Sequence, residues 1–381
     1  MSALHPKAKI AAWLAEPMPS DVNKSIERLA CADDVQHVAV MPDVHLAKDV
    51  CIGTVIATSR LIYPSAVGSD IGCGMAAIRF DADADLLSDE SAAARVLAGL
   101  YQGVPSNKHS AATMPERLPD DLDSEPLSDS RLDKRKRRDG RVQLGTLGRG
   151  NHFLEFQADQ NGQLWLMVHS GSRAMGQAIT AHHLDRVQRP SAGLPHFDSE
   201  TDEGRAYLAD VAWAEQYAEM NRLAIIDGVA GLMLDLFGVG VGRESLIHAN
   251  HNHVRREDHF GQQLWVHRKG AQSAQLDDPG IIPGSMGTTS YHVAGRGCEQ
   301  SLCSSSHGAG RRLSRTEAKK SVSRKQLRHQ LDGIWYDHRR ADALRDEAPA
   351  AYKDIRLVMR AQKELTRIIR ELRPLLCYKG V

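Results

Sequence analysis

Hydrophobic and polar positions along the chain predict short strands in the first half. His37–Met41 and Gly53–Thr58 are rich in β-branched residues and lie between turn-forming residues, which is typical of strands. Met75–Phe80 follows a glycine-rich loop and predicts another strand. Residues 143–156 and 164–169 return to strand-like patterning. We therefore expect several strands connected by glycine-containing turns.

Longer segments in the second half predict helices. Residues 204–235 place apolar side chains three and four positions apart, as on one face of a helix. Residues 341–372 have a similar pattern with a break at Pro349, and residues 374–381 leave that helix. Strands followed by helices indicate an α+β fold.

Residues 105–141 have the composition of a flexible insertion. An acidic stretch that contains proline and serine, Pro119–Ser130, precedes the basic run Lys134–Arg138. The run has two interpretations, a patch that contacts phosphates or a solvated loop, and charge runs are more often solvated.

Composition and charge narrow the class of protein. Lys plus Arg and Asp plus Glu number 48 each among 381 residues, so a nucleic-acid surface would have to be a local patch. The six cysteines show no disulfide-scaffold spacing, which suits a reducing compartment. Neither a secretory signal nor an apolar run of about 18 residues is present, so we expect a cytoplasmic protein without membrane contact.

Candidate metal ligands are spread over four segments rich in glycine or asparagine. Their side chains are one carboxylate, one thiol and three imidazoles, a set that suits Mn, Fe, Co or Zn: Asp70, Cys73, His152, His169 and His251. Each segment alone is weak evidence, because a cysteine beside glycine is usually a small packing residue. A second possible metal site is a structural zinc site at Cys298, Cys303 and His307.

His307 stands before Gly308-Ala309-Gly310 and Arg311. Small residues leave backbone N–H groups free to approach phosphate oxygens, and an imidazole there can attack phosphorus. From the residues alone, a glycine turn with a solvent-facing histidine is the more common interpretation. The chain has no Walker A sequence, and the glycines at 238–242 do not form a dinucleotide fingerprint.

Taken together, these motifs resemble the RtcB-type RNA ligases. The resemblance runs through Met41-Pro-Asp-Val-His45, the ligand segments, Val266-His-Arg-Lys-Gly270, Ile282-Pro-Gly-Ser-Met-Gly287 and Tyr378-Lys379-Gly380. Because ligands so far apart must converge, we expect residues 1–381 to form one interleaved domain. Its mixed sheets would be flanked by helices around a central metal and nucleotide cleft.

The resemblance implies two Mn(II) ions bridged by Cys73, GTP as the nucleotide and His307 as the nucleophile that takes GMP. Glu155 would select guanine, and Lys379 would close over the base. The implied nucleotide-binding residues are Asn151, His152, Phe153, Leu154, Glu155, His251, Asn252, Pro283, Gly284, Ser285, Met286, Ser290, His307, Gly308, Ala309, Gly310 and Lys379. Tyr352 resembles a family residue that stacks on the base.

The implied activity joins an RNA 3′-phosphate or 2′,3′-cyclic phosphate to a 5′-hydroxyl, in RNA repair or splicing. The alternatives are a metal-dependent RNA phosphatase or cyclic phosphodiesterase without ligation, and a non-catalytic RNA-binding module. The short chain is similar to the paralogue linked to release factor H. Residues 49–53 depart from the family pattern, as does the shortened interval between Ser290 and His307, which leaves the RNA substrate and partners open.

Overall fold

The computed structural model describes residues 8–187 and 193–380. The strands of this part are β1 Lys9–Ala12, β2 Val35–His45, β3 Ile52–Thr58, β4 Leu61–Ile62, β5 Gly74–Asp83, β6 Phe153–Asp159, β7 Gln163–Ser170, β8 Phe197–Asp198, β9 Val241–Asn250, β10 Asn252–His259, β11 Gln262–Lys269, β12 Ala271–Ser273, β13 Pro279–Ile282, β14 Ser290–Gly295, β15 Ser304–Ser306 and β16 Thr366–Lys379. The α-helices are α1 Ser20–Ala30, α2 Glu90–Gly103, α3 Asp120–Asp123, α4 Ser130–Arg135, α5 Arg141–Gln143, α6 Arg173–Leu184, α7 Asp202–Phe237, α8 Arg315–Ser321, α9 Arg324–Gln330, α10 Ala341–Leu344 and α11 Ile355–Ala361. The α+β class is confirmed.

The larger sheet has seven strands in the order β13-β14-β16-β6-β7-β5-β9. Every neighbouring pair is antiparallel. The edge strands β13 and β9 also lie against each other, so the sheet curls almost into a barrel. A five-stranded sheet, β1-β2-β3-β11-β10, packs beside it, with β1 and β2 parallel.

Antiparallel pairing brings the candidate ligands to one edge of the larger sheet. Adjacent antiparallel strands run in opposite directions, so the start of one strand lies beside the end of the next. Strand β5 starts just after Cys73 and β6 just after His152, whereas β7 ends just after His169 and β9 just before His251. The next neighbour, β16, ends at Lys379, which pairs with Phe153.

Helix α7 supports this edge from behind, and its prediction from residues 204–235 is confirmed. The Thr201 hydroxyl accepts a hydrogen bond from the Gly204 N–H at the start, and Gly238 ends the helix in the left-handed conformation with φ 70°. The strands predicted at 37–41, 53–58, 75–80 and 164–169 all lie within observed strands.

Two boundary predictions are wrong. The strand expected over 143–156 starts only at Phe153, because Arg141–Gln143 is helical and residues 144–152 form an irregular loop. The helix expected over 341–372 is instead two short helices, α10 and α11, separated by 3-10 turns, and Thr366–Lys379 is a strand. Its β-branched residues favour a strand, and pairing with β14 on one side and β6 on the other overrides the apolar spacing.

Residues 105–141, expected to be a flexible insertion, contain short helices that pack on α6 and α7. Four leucines of the segment are buried in the same hydrophobic cluster: Leu118, Leu122, Leu127 and Leu132. Within the basic run, Lys136 is buried and donates to the carbonyls of Asp123 and Glu125. At least this lysine is therefore used for packing.

None of the helices in the described residues is long and apolar enough to span a membrane.

Candidate metal and nucleotide site

Two groups of ligand atoms meet at Cys73. One consists of Cys73, His169 and His251, the other of Asp70, Cys73 and His152, and within each group the atoms lie within 4.8 Å of one another. The Cys73 Sγ is 3.2 Å from the His169 Nε2 and 3.4 Å from the His152 Nε2. The structure thus brings all five predicted ligands together, with the thiol shared by both groups.

The chemistry of this donor set fits transition-metal ions. Burial lowers the pKa of His169 and of His251 well below the usual range, so both imidazoles are neutral and free to donate a lone pair. Burial, with the nearby Asp70, raises the pKa of the Cys73 thiol, so a thiolate there requires a cation. The Asp70 Oδ1 is buried and has no hydrogen-bond partner in the described residues. A bound cation would satisfy both groups.

Neighbouring groups fix the orientation of the ligands. The His169 Nδ1 lies 3.2 Å from the carbonyl of Asn151, which leaves Nε2 to face Cys73. Asn252 does not line the cavity; its Nδ2 donates to the Asp70 carbonyl, and its Oδ1 accepts from the Gly270 N–H. Asn252 therefore ties the Asp70 loop to the end of β11.

His307 lies beside the metal ligands and against a buried carboxylate. It follows β15, whose partner β12 begins next to the His251 carbonyl. The rings of His307 and His251 are 4.8 Å apart. The His307 Nδ1 lies 2.7 Å from the Asp43 Oδ2, which also accepts the His307 backbone N–H at 3.2 Å. A side chain on Gly310 would collide with the Asp43 carbonyl, so this turn requires glycine.

A cavity of about 290 Å³ opens beside His307. Most of the predicted nucleotide-binding residues line it: Asn151, Phe153, Glu155, Pro283, Gly284, Ser285, Met286, Ser290, His307, Gly308, Ala309, Gly310 and Lys379. His152 and His251 belong instead to the two groups of candidate metal ligands, and Leu154 is buried in the core on the opposite face of β6. His45, Arg311, Arg315, Glu347 and Tyr352 also line the cavity.

One wall of the cavity is an ionic network around Glu347. Lys379 Nζ donates to Glu347 Oε2 at 2.6 Å, and the Tyr352 hydroxyl donates to the same oxygen at 2.7 Å. Arg315 donates to the other carboxylate oxygen at 2.7 Å, and the Arg311 guanidinium lies over the Tyr352 ring. Burial opposes ionisation of Glu347, but Lys379 and Arg315 outweigh it and lower its pKa to about 2. The network holds three cations at the cavity.

Glu155 lies at the cavity floor with little solvent around it. Burial raises the pKa of Glu155 to about 8, against the opposing effects of Gln157 and Lys379. The Gln157 amide donates to one carboxylate oxygen at 2.7 Å. A ligand that donates hydrogen bonds to the carboxylate would favour its ionised form.

The structural zinc interpretation finds no support in the described residues. The only groups there with metal-ligand geometry are the two that share Cys73. His307 faces Asp43 and His251, whereas Cys303 packs near the Arg268 guanidinium. His267, in the motif Val266–Gly270, is fully buried and its Nε2 accepts a hydrogen bond from the Tyr63 N–H, so it has a structural role.

Sequence reasoning did not single out Asp43 or Glu347. Asp43 lies in the motif Met41–His45, and its position there could have identified it as a candidate site residue. Glu347 lies in a sequence of alanines and acidic residues that carries no signal.

The fold and the site define a class of protein in which thiol, imidazole and carboxylate groups with metal-ligand geometry lie beside a cavity and a carboxylate-paired histidine. The family model for "tRNA-splicing ligase RtcB" matches residues 25–127 and 119–380. The chain belongs to the RtcB family.

Relatives match nearly the whole chain. The RNA-splicing ligase RtcB of Escherichia coli K12 is 39% identical over 373 residues, covering 91% of this chain and 90% of the relative. The RNA-splicing ligase RtcB of Mycobacterium tuberculosis is 30% identical over 421 residues, covering 89% and 96%. The tRNA-splicing ligase RtcB of Archaeoglobus fulgidus is 28% identical over 456 residues, covering 97% and 93%.

Proposed function

We propose that this protein is a GTP- and Mn(II)-dependent RNA ligase that joins a 3′-phosphate end to a 5′-hydroxyl end. The single observation that carries the proposal is His307, which lies between the Asp43 carboxylate and the His251 ligand at the cavity. Similarity to proteins named RNA-splicing ligases supports the same activity. A 2′,3′-cyclic phosphate end would first be hydrolysed to the 3′-phosphate.

The first step is the transfer of GMP to His307. Nδ1 lies 2.7 Å from the Asp43 carboxylate, so a proton on Nδ1 would leave the lone pair on Nε2. Nε2 attacks the α-phosphorus of GTP, a phosphorus–nitrogen bond forms, and the bond to the β-phosphate oxygen breaks to release pyrophosphate. Asp43 stabilises the positive charge that develops on the imidazole.

Two further transfers complete the reaction. An oxygen of the RNA 3′-phosphate attacks the phosphorus on His307, and the imidazole leaves. The RNA 5′-hydroxyl then attacks the activated 3′-phosphorus, loses its proton and expels GMP. A phosphomonoester becomes reactive in this way because GMP is a far better leaving group than oxide.

The metal and the nucleotide each have matching residues. The five ligands Asp70, Cys73, His152, His169 and His251 would hold two Mn(II) ions that share the thiolate, and bound metal would neutralise charge on the triphosphate. Glu155 would accept hydrogen bonds from guanine, and Gly308–Gly310 would let the chain approach the phosphates. Lys379 and Tyr352 would close over the base.

The test is sealing of an RNA with defined ends. The purified protein is incubated with GTP, Mn(II) and an end-labelled RNA that carries a 3′-phosphate and a 5′-hydroxyl. Formation of joined RNA with consumption of GTP supports the ligase. Release of the 3′-phosphate without joining supports the phosphatase, and unchanged bound RNA supports the binding module.

Pairing the sealing assay with RNA from cells that lack the protein would identify its natural substrate. A role in repairing cut translational RNA, linked to release factor H and located in the cytoplasm, is part of the proposal. It stays a prediction from the sequence resemblance.

A further inference from the structure

Arg222 is a fully buried arginine in the middle of helix α7. Its guanidinium lies behind the metal ligands and does not line the nucleotide cavity. A buried charge is stable only when its donors are satisfied, so its partners show what it organises.

Its hydrogen bonds reach three segments, each of which carries a metal ligand one residue away. One terminal nitrogen donates to the carbonyls of Gly72 and Ser170, at 2.8 Å each. The other donates to the Asn250 side chain. These partners precede Cys73, follow His169 and precede His251, the group of ligands that includes the shared thiol.

Helix α7 packs so closely against the Gly72 segment that the loop has no room for a side chain there. A side chain on Gly72 would lie 2.8 Å from the Glu215 Cα on the helix. The Arg222 Nε also donates to His248 at 2.9 Å, which fixes the direction of the guanidinium plane. Gly72 lies in the loop before β5, Ser170 at the end of β7, and both His248 and Asn250 in β9, so a single side chain bonds to three segments.

We propose that Arg222 is a positioning residue that sets the spacing of Cys73, His169 and His251 for metal binding. Burial lowers the pKa of Arg222 only to about 10, so it stays charged at neutral pH. The inference rests on the metal site of the proposed function.

The experiment measures Co(II) binding to the metal-free full chain, followed by the thiolate-to-cobalt absorption band in the near ultraviolet. Arg222→Gln removes the charge and the planar fork, and Arg222→Lys keeps only the charge. Removal of a residue that orients ligands typically lowers metal affinity about 10–100-fold. We expect a loss of that size with a weakened thiolate band in Arg222→Gln, and a smaller loss in Arg222→Lys.

Arg268→Gln is the matched control, because Arg268 is also fully buried and bonds to Glu257 and Ser304, away from the ligands. We expect it to lower the melting temperature without changing the cobalt spectrum. Wild-type affinity and spectrum in folded Arg222→Gln would overturn the inference. So would failure of both Arg222 variants to fold, because the residue would then serve the fold as a whole.

The two proposals fail in different ways. If the wild-type protein binds no Co(II) through a thiolate, the proposed metal site itself is wrong. If the wild type binds and Arg222→Gln binds equally well, only the role of Arg222 is wrong.

Discussion

The imidazole of His307 and the carboxylate of Asp43 face each other across 2.7 Å, although 264 residues separate them in the chain. Asp43 is completely buried. In the proposed reaction, a buried carboxylate at Nδ1 would hold the proton on that nitrogen and leave Nε2 as the nucleophile. The pair would therefore favour one tautomer of His307 beside the candidate metal ligands.

Replacing Asp43 by asparagine should slow GMP transfer to His307 by about 10²–10⁴-fold, the usual effect of losing a group that assists proton transfer. The amide keeps the shape but cannot stabilise the imidazolium. The rate of protein–GMP formation measures the effect, with Co(II) affinity as the control for an intact metal site. An unchanged rate in Asp43→Asn would show that the carboxylate does not assist His307.

Cys73→Ala should remove more metal than His169→Ala, because loss of a shared ligand damages both groups of ligands. A missing terminal imidazole can be replaced by water. Metal content after dialysis is the measurement, and Cys51→Ala, which alters a buried cysteine outside the cluster, is the matched control. Equal losses in Cys73→Ala and His169→Ala would indicate a single mononuclear site.

GTP affinity should increase with pH through Glu155. Burial raises the pKa of Glu155 to about 8, so at lower pH guanine must displace a proton from the carboxyl before the carboxylate can accept its N–H groups. Affinity should rise by up to about tenfold per pH unit as pH approaches 8, and level off above it. GTP titrations in the His307→Ala background avoid turnover.

Glu155→Gln has no carboxyl to titrate, so its GTP affinity should be nearly independent of pH over the same range. An identical pH slope in Glu155→Gln and its parent would exclude Glu155 as the guanine acceptor.

Lys379→Met should impair GMP transfer before RNA enters. The ammonium bonds to Glu347 at the cavity, and its loss leaves that buried carboxylate with fewer cations. We expect a decrease of about tenfold or more in the rate of protein–GMP formation, because a buried charged hydrogen bond is worth about 1.5–3 kcal/mol. Lys363→Met, at an exposed lysine, should have no effect.

A Lys379→Met protein that already carries GMP should still seal RNA once, since the nucleotide is in place. Protein–GMP formation at the wild-type rate would show that Lys379 is not part of the nucleotide site.

The candidate ligands could be selected from the sequence because their residue types lie in short local motifs. Cys73, His152, His169 and His251 each lie beside a strand end, and antiparallel pairing of β6, β7, β5 and β9 unites them. That pairing order depends on contacts between segments far apart in the chain, which no local pattern encodes.

Strand β16 likewise depends on pairing that a local sequence pattern does not predict. The apolar spacing of residues 341–372 suits a helix, yet Thr366–Lys379 is a central strand because two neighbouring strands bond to it. The roles of Arg222 and Glu347 could not be predicted either, because an isolated arginine or glutamate in a sequence does not indicate that it is buried. Their importance follows only from their partners in the fold.

The central claim is that His307 carries GMP. The most direct measurement incubates the protein with Mn(II) and GTP labelled at the α-phosphate, then maps the labelled residue. The account predicts an acid-labile, alkali-stable adduct at His307, which disappears in His307→Ala while metal content is retained. His329→Ala, at an exposed histidine on α9, should label normally. Undiminished labelling of His307→Ala, or no adduct in the metal-loaded wild-type protein, would contradict the account.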